Sequence, residues 1–219
     1  ALEQQKLLAA CQEPTNCKAL NRYLGFEQYR AEAERFITFY LEPNSVKKAQ
    51  RLAISEALDY LCECVCAHQR TLIHRDFMPW NLFVREQQVL VLDFQDCLQG
   101  SYVYDLVSLV HDRDADFALG QTQSKKIVEI YKELHTDLSP KFNQHYREAL
   151  MQRYFRLAGQ FHMLTKKTGN SIYQDWVPGC FRRLAIGLRD TDYMQDTLDI
   201  LYQLVPEIRE GLQEDWRLP

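Results

Sequence analysis

His74-Arg75-Asp76-Phe77-Met78-Pro79-Trp80-Asn81, followed a short way on by Asp93-Phe94-Gln95-Asp96, decides how this chain is read. Between the two stretches, Leu82-Phe83-Val84 and Val89-Leu90-Val91-Leu92 flank Arg85-Glu86-Gln87-Gln88, which predicts two short strands joined by a polar turn. A hairpin returns the chain to where it began. Asn81 enters the first strand and Asp93 leaves the second, so both emerge at one sheet end. Asp76 faces the same space from the loop. Three oxygen-bearing side chains converge there without help from any distant part of the chain.

The spacing fits H-R-D-x-x-x-x-N followed by an Asp-Phe pair, the catalytic-loop pattern of kinases. Phosphoryl transfer needs one carboxylate to orient an acceptor hydroxyl and take its proton. A second carboxylate and an amide oxygen suit Mg²⁺ on the nucleotide phosphates, because hard cations prefer oxygen ligands. At roughly one chance in twenty for each of about five fixed positions, with some freedom in hairpin length, an accidental match is about one in a thousand. The plainer reading makes Asp76 a turn residue, Asn81 a strand-starting polar residue and Asp93 a helix cap, and needs all three in this register by accident. A protein kinase would follow Asp93 with an activation segment of roughly 20 to 30 residues closing on Ala-Pro-Glu. Here 11 residues separate Asp93 from Asp105 and no Ala-Pro-Glu follows. A small-molecule acceptor fits better than a peptide.

Working outward, most of the chain has helical period. From Val46 to Gln69, apolar Ile54, Leu58, Leu61 and Val65 recur every three or four residues, with Lys47, Lys48, Arg51, Glu56 and Asp59 on the other face. Phe26 to Leu41 shows the same pattern through Tyr29, Ala33, Phe36, Ile37 and Tyr40. Beyond the hairpin, helices are expected over Tyr104–His111, Gln123–His135, Asn143–Lys167, Ile172–Leu188 and Met194–Trp216. The 219 residues, 46% hydrophobic and 26% charged with 8 Gly and 7 Pro, exclude a disordered, collagen-like or linker chain. Lys+Arg is 26 against Asp+Glu 30, a net charge of −4, which argues against a general nucleic-acid coat. No apolar run approaches the roughly 18 to 20 residues that span a bilayer, and no membrane partner is expected. Ala1-Leu2-Glu3-Gln4-Gln5-Lys6 lacks the features of a signal peptide. Seven cysteines, three of them at 62, 64 and 66 on one helix, do not form a disulfide framework, so a reducing cytoplasm is expected. The reading is a single mostly α (α+β) lobe over 1–219, helices around a small β-hairpin, with the catalytic loop and metal-binding hairpin in 71–112 and a helical subdomain in 113–219.

Leu92-Asp93-Phe94-Gln95-Asp96, with Gly100 and Tyr104-Asp105-Leu106-Val107-Ser108-Leu109, resembles the aminoglycoside phosphotransferase and choline kinase-like superfamily. Within it the run is most similar to the bacterial anomeric sugar kinases that phosphorylate N-acetylmuramate and N-acetylglucosamine in peptidoglycan recycling. The match is closest from His74 to Asp112, with weaker likeness at Phe26–Leu41 and Gly159–Pro178. The resemblance implies a protein-kinase-like C-terminal lobe, with Asp76 as catalytic base and Asn81 and Asp93 as Mg²⁺ ligands beneath ATP. It makes Asp105 a brace that accepts hydrogen bonds from the catalytic loop. His74 would pack beneath the loop and Arg75 would form a local salt bridge. Asp96 is a further metal or sugar contact or a hydrogen-bonded turn residue.

A complete member of this superfamily places a small β lobe of roughly 100 residues ahead of the loop, carrying a phosphate-covering loop and a Lys. Residues 1–73 contain one glycine, Gly25, and Lys6, Lys18, Lys47 and Lys48 sit in helical or polar surroundings; the chain does not start with Met. The expectation is a C-terminal lobe without its N-terminal β lobe, its missing partner for nucleotide and sugar, binding Mg-ATP weakly by itself. An aminoglycoside, choline or homoserine acceptor, and a non-catalytic stand-alone binding lobe, are the alternatives.

Weaker signals carry simpler readings beside the chemical ones. Cys62 with Cys66, and Cys64 with His68, are four apart and suit zinc, but no third and fourth ligand is evident, so reduced half-buried thiols are the simpler account. Glu32 among Tyr29, Phe36 and Tyr40 could meet a sugar hydroxyl; a core-facing aromatic stripe explains the same spacing. Lys166-Lys167 could attract an anionic sugar or be a solvated pair, and Trp80, Trp176 and Trp216 could each fill core.

Overall fold

The structure, a computed structural model, describes residues 1–12, 16–112 and 119–214. In chain order the elements are α1 (Leu2–Ala9), α2 (Phe26–Phe36), α3 (Lys48–Cys66), β1 (Arg70–Ile73), β2 (Leu82–Arg85), β3 (Gln88–Val91), β4 (Leu98–Ser101), α4 (Tyr104–Val110), α5 (Gly120–Leu134), α6 (Phe142–Thr168), α7 (Val177–Arg189), α8 (Gln195–Leu204) and α9 (Pro206–Gln213). The chain is mostly α, as its periodicity predicts. Two compact units divide it: one takes Ala1–Gly25 and Cys66–Tyr146, the other Phe26–Val65 and the described part of Arg147–Arg217.

The first unit holds all four strands. β2 and β3 form the expected antiparallel hairpin, with Leu82 opposite Val91 and Arg85 opposite Gln88. Its two-residue turn, Glu86 and Gln87, has positive φ at both positions (50° and 65°), the twist that suits a tight hairpin. β1 and β4 form a second antiparallel pair, Ile73 opposite Leu98 and Arg70 opposite Ser101. This pair nests around the hairpin. Residues 74–81 connect β1 to β2 and residues 92–97 connect β3 to β4, so pairing the outer and inner strands forces these two connections side by side. Arg22 to Leu24 lie along β4: Gln99 N donates to Arg22 O (2.8 Å) and Leu24 N donates to Gln99 O (2.9 Å). A Cβ at Gly100 would stand 2.4 Å from Ile73 Cδ1, the end of a side chain that would have to turn aside.

The second unit packs α2, α3 and the bulk of α6 with α7 to α9. α3 buries Ile54, Leu58, Leu61, Cys62 and Val65, the face its period marked out. α2 ends sooner than its apolar stripe: Ile37–Leu41 opens into a wider π turn. Phe36 stacks on Tyr40 (5.1 Å between centroids) and meets Phe155 edge-on, so two members of the stripe contribute to aromatic packing in this unit. The expected helix over Met194–Trp216 is two helices. Pro206 lacks a donor N–H and opens α9, which breaks the run at Val205; Trp216 itself lies outside the described residues. The expected start of a helix at Ile172 is a 3₁₀ segment, Ser171–Trp176, with α7 following. There Trp176 packs against Phe161 and Tyr173.

Gly159 on α6 lets the backbone of α2 approach closely. A Cβ there would sit 2.3 Å from Phe36 N and 2.4 Å from Arg35 C, both backbone atoms that no rotamer change can move. Gly159→Ala is therefore expected to lower unfolding free energy by about 3 kcal/mol, read as a reduced urea midpoint.

Candidate active site

The side chains that the loop and hairpin predict all lie in the first unit. His74 is buried and donates from Nε2–H to Leu92 O (2.9 Å), tying the loop to the end of β3. Phe77, fully buried, packs edge-on to the His74 ring and anchors the loop from below. Asp105, at the start of α4 and 0% exposed, accepts from His74 N through Oδ2 (2.7 Å) and from Arg75 N through Oδ1 (3.0 Å). Arg75 needs that hold, since its φ of 73° lies in the left-handed region that branched or long side chains avoid. Ser108, one turn along α4, donates to Tyr104 O (3.0 Å) and stands 3.4 Å from Arg75 O.

Asp76 follows this strained residue and is half-buried. Its carbonyl accepts from Met78 N (3.0 Å) and from Asn81 Nδ2 (2.8 Å), closing the loop on itself. Asn81 also accepts from Leu92 N at its carbonyl (2.9 Å), which extends the hairpin by one rung. That rung puts Asp93 one residue beyond the partner of Asn81. Asp93 is exposed and left-handed (φ 66°, ψ 43°), and a single 3₁₀ turn, Phe94–Asp96, follows. Arg22 holds the turn from outside: its Nη2 donates to Gln95 O (3.2 Å) and Cys97 O (2.9 Å). Cys97 is buried beneath, its thiol pushed up to about 11 by burial, with the Asp105 carboxylate adding to the shift.

Asp76, Asn81 and Asp93, with His74, Arg75 and Asp105 behind them, are thus gathered by one loop and one turn. Asp96 is exposed on that turn. Glu32 belongs to the other unit, where it is buried on α2 and accepts from Gln152 Nε2 (3.1 Å). All seven cysteines are free thiols. Among the described residues Cys62, Cys64 and Cys66 join no group of three metal-ligating side chains, and His68 falls beyond the end of α3, its Nδ1 2.8 Å from Ser101 Oγ and its ring stacked on that of His145. Lys166 and Lys167 are exposed. Arg22 and Ser108 are the residues that sequence reasoning missed; Ser108 stood within a quoted run, whereas nothing in the local pattern around Arg22 marks it.

The donor set suits a hard divalent cation. Asn81 Nδ2 is spent on Asp76 O, so the amide presents Oδ1, and Asp93 adds an exposed carboxylate. Next to these oxygens the hairpin exposes apolar side chains: Trp80 and Phe94 are 64% and 69% exposed, and Phe83, Val84, Leu90 and Leu92 are exposed as well.

The profile of the phosphotransferase enzyme family matches residues 8–137, more than half of the chain and the whole of this site. The chain belongs to that family. Its relatives include the N-acetylmuramate/N-acetylglucosamine kinase of Pseudomonas aeruginosa, 32% identical over 133 residues, 58% of this chain and 39% of the relative. The enzyme of that name from Neisseria meningitidis serogroup B is 30% identical over 169 residues, 73% of this chain and 48% of the relative. That from Pseudomonas putida is 26% identical over 193 residues, 83% and 55%. The chain therefore spans about half the length of the curated relatives it matches. Among the described residues no helix is long and apolar enough to cross a membrane.

Proposed function

We propose that this chain is the C-terminal lobe of an ATP-dependent sugar kinase that phosphorylates the anomeric hydroxyl of N-acetylmuramate or N-acetylglucosamine in cell-wall recycling. The observation that carries the reading is the delivery of Asp76, Asn81 and Asp93 to one end of the β2–β3 hairpin, on a loop whose backbone Asp105 pins. The Asp76 carboxylate orients the acceptor hydroxyl and accepts its proton as that oxygen attacks the γ-phosphorus and the bond to the β,γ-bridging oxygen breaks, ADP leaving with the electron pair. Asn81 Oδ1 and the Asp93 carboxylate would hold Mg²⁺. When bound, the ion neutralises charge on the nucleotide phosphates. Positioning and electrostatics supply most of the acceleration, since phosphoryl transfer leaves little covalent chemistry to the protein. The exposed apolar side chains at and beside the hairpin offer apolar surface against which a nucleobase would pack. A further lobe supplies the phosphate-covering loop and Lys. The free thiols support a cytoplasmic setting.

The sugar assignment is supported by the printed names of the relatives and is tested by an acceptor panel with the intact enzyme. N-acetylmuramate and N-acetylglucosamine are expected to give sugar 1-phosphates, identified by ³¹P NMR, with kanamycin, choline and homoserine at least about 100-fold poorer in kcat/KM, the discrimination that a matched hydrogen-bonding site achieves. Choline turnover would instead require an aromatic and acidic cage. No transfer to any acceptor would leave the non-catalytic binding lobe as the reading.

A further inference from the structure

We infer that Arg22 is a positioning residue for Asp93: its guanidinium fixes the turn that presents this carboxylate, and so sets the affinity of the site for a divalent cation. The inference rests on the reading of Asp93 as a metal ligand and goes beyond it, because Arg22 lies outside the loop and hairpin. Asp93 is left-handed, at φ 66°, and the side chains of Asp93 to Asp96 are exposed, so packing does little to hold the turn. Its internal tie is the bond from Cys97 N to Phe94 O (3.2 Å). Arg22 adds the external one. A single nitrogen, Nη2, bridges the carbonyls of Gln95 and Cys97 at 3.2 and 2.9 Å, and charged donors make the stronger hydrogen bonds.

The guanidinium works because its own backbone is fixed. Arg22 O accepts from Gln99 N (2.8 Å), and Tyr23 pairs with Gln99 in a parallel bridge. Gln99 lies on β4, the strand into which the turn runs. Turn, strand and Arg22 therefore close a ring: the turn leads into β4, β4 holds the Arg22 backbone, and the Arg22 side chain reaches back to the turn. Removing the side chain opens the ring at the turn, while the β4 pairing stays intact.

The test is Mn²⁺ binding by the intact protein, read by electron paramagnetic resonance of the free ion, which needs no turnover. Arg22→Met is expected to weaken Mn²⁺ binding about tenfold, and Arg22→Lys, which keeps the charge but reaches one carbonyl, to recover part of the loss. Asp93→Asn serves as the reference for a lost ligand. Equal Mn²⁺ affinity in wild type and Arg22→Met overturns the role of Arg22 and leaves the metal reading standing. No Mn²⁺ binding in the wild type overturns the metal reading and this inference together. A merely structural role predicts that Arg22→Lys and Arg22→Met lose unfolding temperature in proportion to affinity; an affinity loss in Arg22→Lys and Arg22→Met at unchanged unfolding temperature is the expected result.

Discussion

Asp93→Asn in the intact enzyme is expected to lower kcat by about a thousandfold, with unfolding unchanged. The substitution keeps the size and one oxygen of the side chain but removes its charge. Asp93 is exposed and tied by its backbone geometry rather than by packing, so the fold has little stake in the carboxylate. The loss should shrink as Mg²⁺ is raised, because a weakened site can be filled by mass action. Asp76→Asn, one loop away, should cost between about a hundred and ten thousandfold and show no such relief, since a missing base is not restored by metal. Rates measured across a Mg²⁺ series separate the two roles. Near-normal turnover of Asp93→Asn at ordinary Mg²⁺ would overturn the metal assignment, and Mg²⁺ relief in Asp76→Asn would overturn the base.

The clustering of the candidate site residues was legible because the ties that gather them are short in sequence. Asn81 to Asp76 spans 5 positions and His74 to Leu92 spans 18. A motif can encode a geometry of that kind. The outer strands were not legible. Arg70-Thr71-Leu72-Ile73 and Leu98-Gln99-Gly100-Ser101 are four residues each and lack apolar alternation, and their burial does not alternate either. Their pairing is a tertiary fact. Arg22 reaches 73 positions to Gln95, beyond any local pattern. The division into two units was hidden for the same reason: each draws on separate stretches of chain, and α6 runs through the boundary. Pro206 is a different case. Its breaker chemistry stands in the sequence, although Leu198, Leu201, Val205 and Ile208 on either side of it keep an apolar spacing and are all buried.

Asp105→Ala is expected to lower unfolding free energy by about 4 kcal/mol, a large share of the roughly 5 to 15 kcal/mol that holds a protein folded. The carboxylate is wholly buried and accepts two backbone N–H groups, His74 N and Arg75 N. Alanine leaves both donors without this acceptor, His74 N in a buried and Arg75 N in a part-buried setting, at about 1 to 3 kcal/mol each. It also frees Arg75 from the conformation at φ 73° that the pair of bonds enforces. A relaxed Arg75 moves Asp76, the next residue, so turnover well below the melting temperature should fall by about a hundredfold, the cost of a misplacement near 1 Å. Asp105→Asn keeps one acceptor oxygen and turns an NH₂ toward the other N–H, and so should recover less than half of the stability. Urea unfolding and kcat give the two readouts. Cys97 gives a third, because the Asp105 carboxylate helps to raise its thiol to about 11. In Asp105→Ala the pH at which that thiol reacts should move down, because the contribution of the carboxylate is gone. Wild-type stability in Asp105→Ala would mean that the loop holds its strained residue without the buried carboxylate.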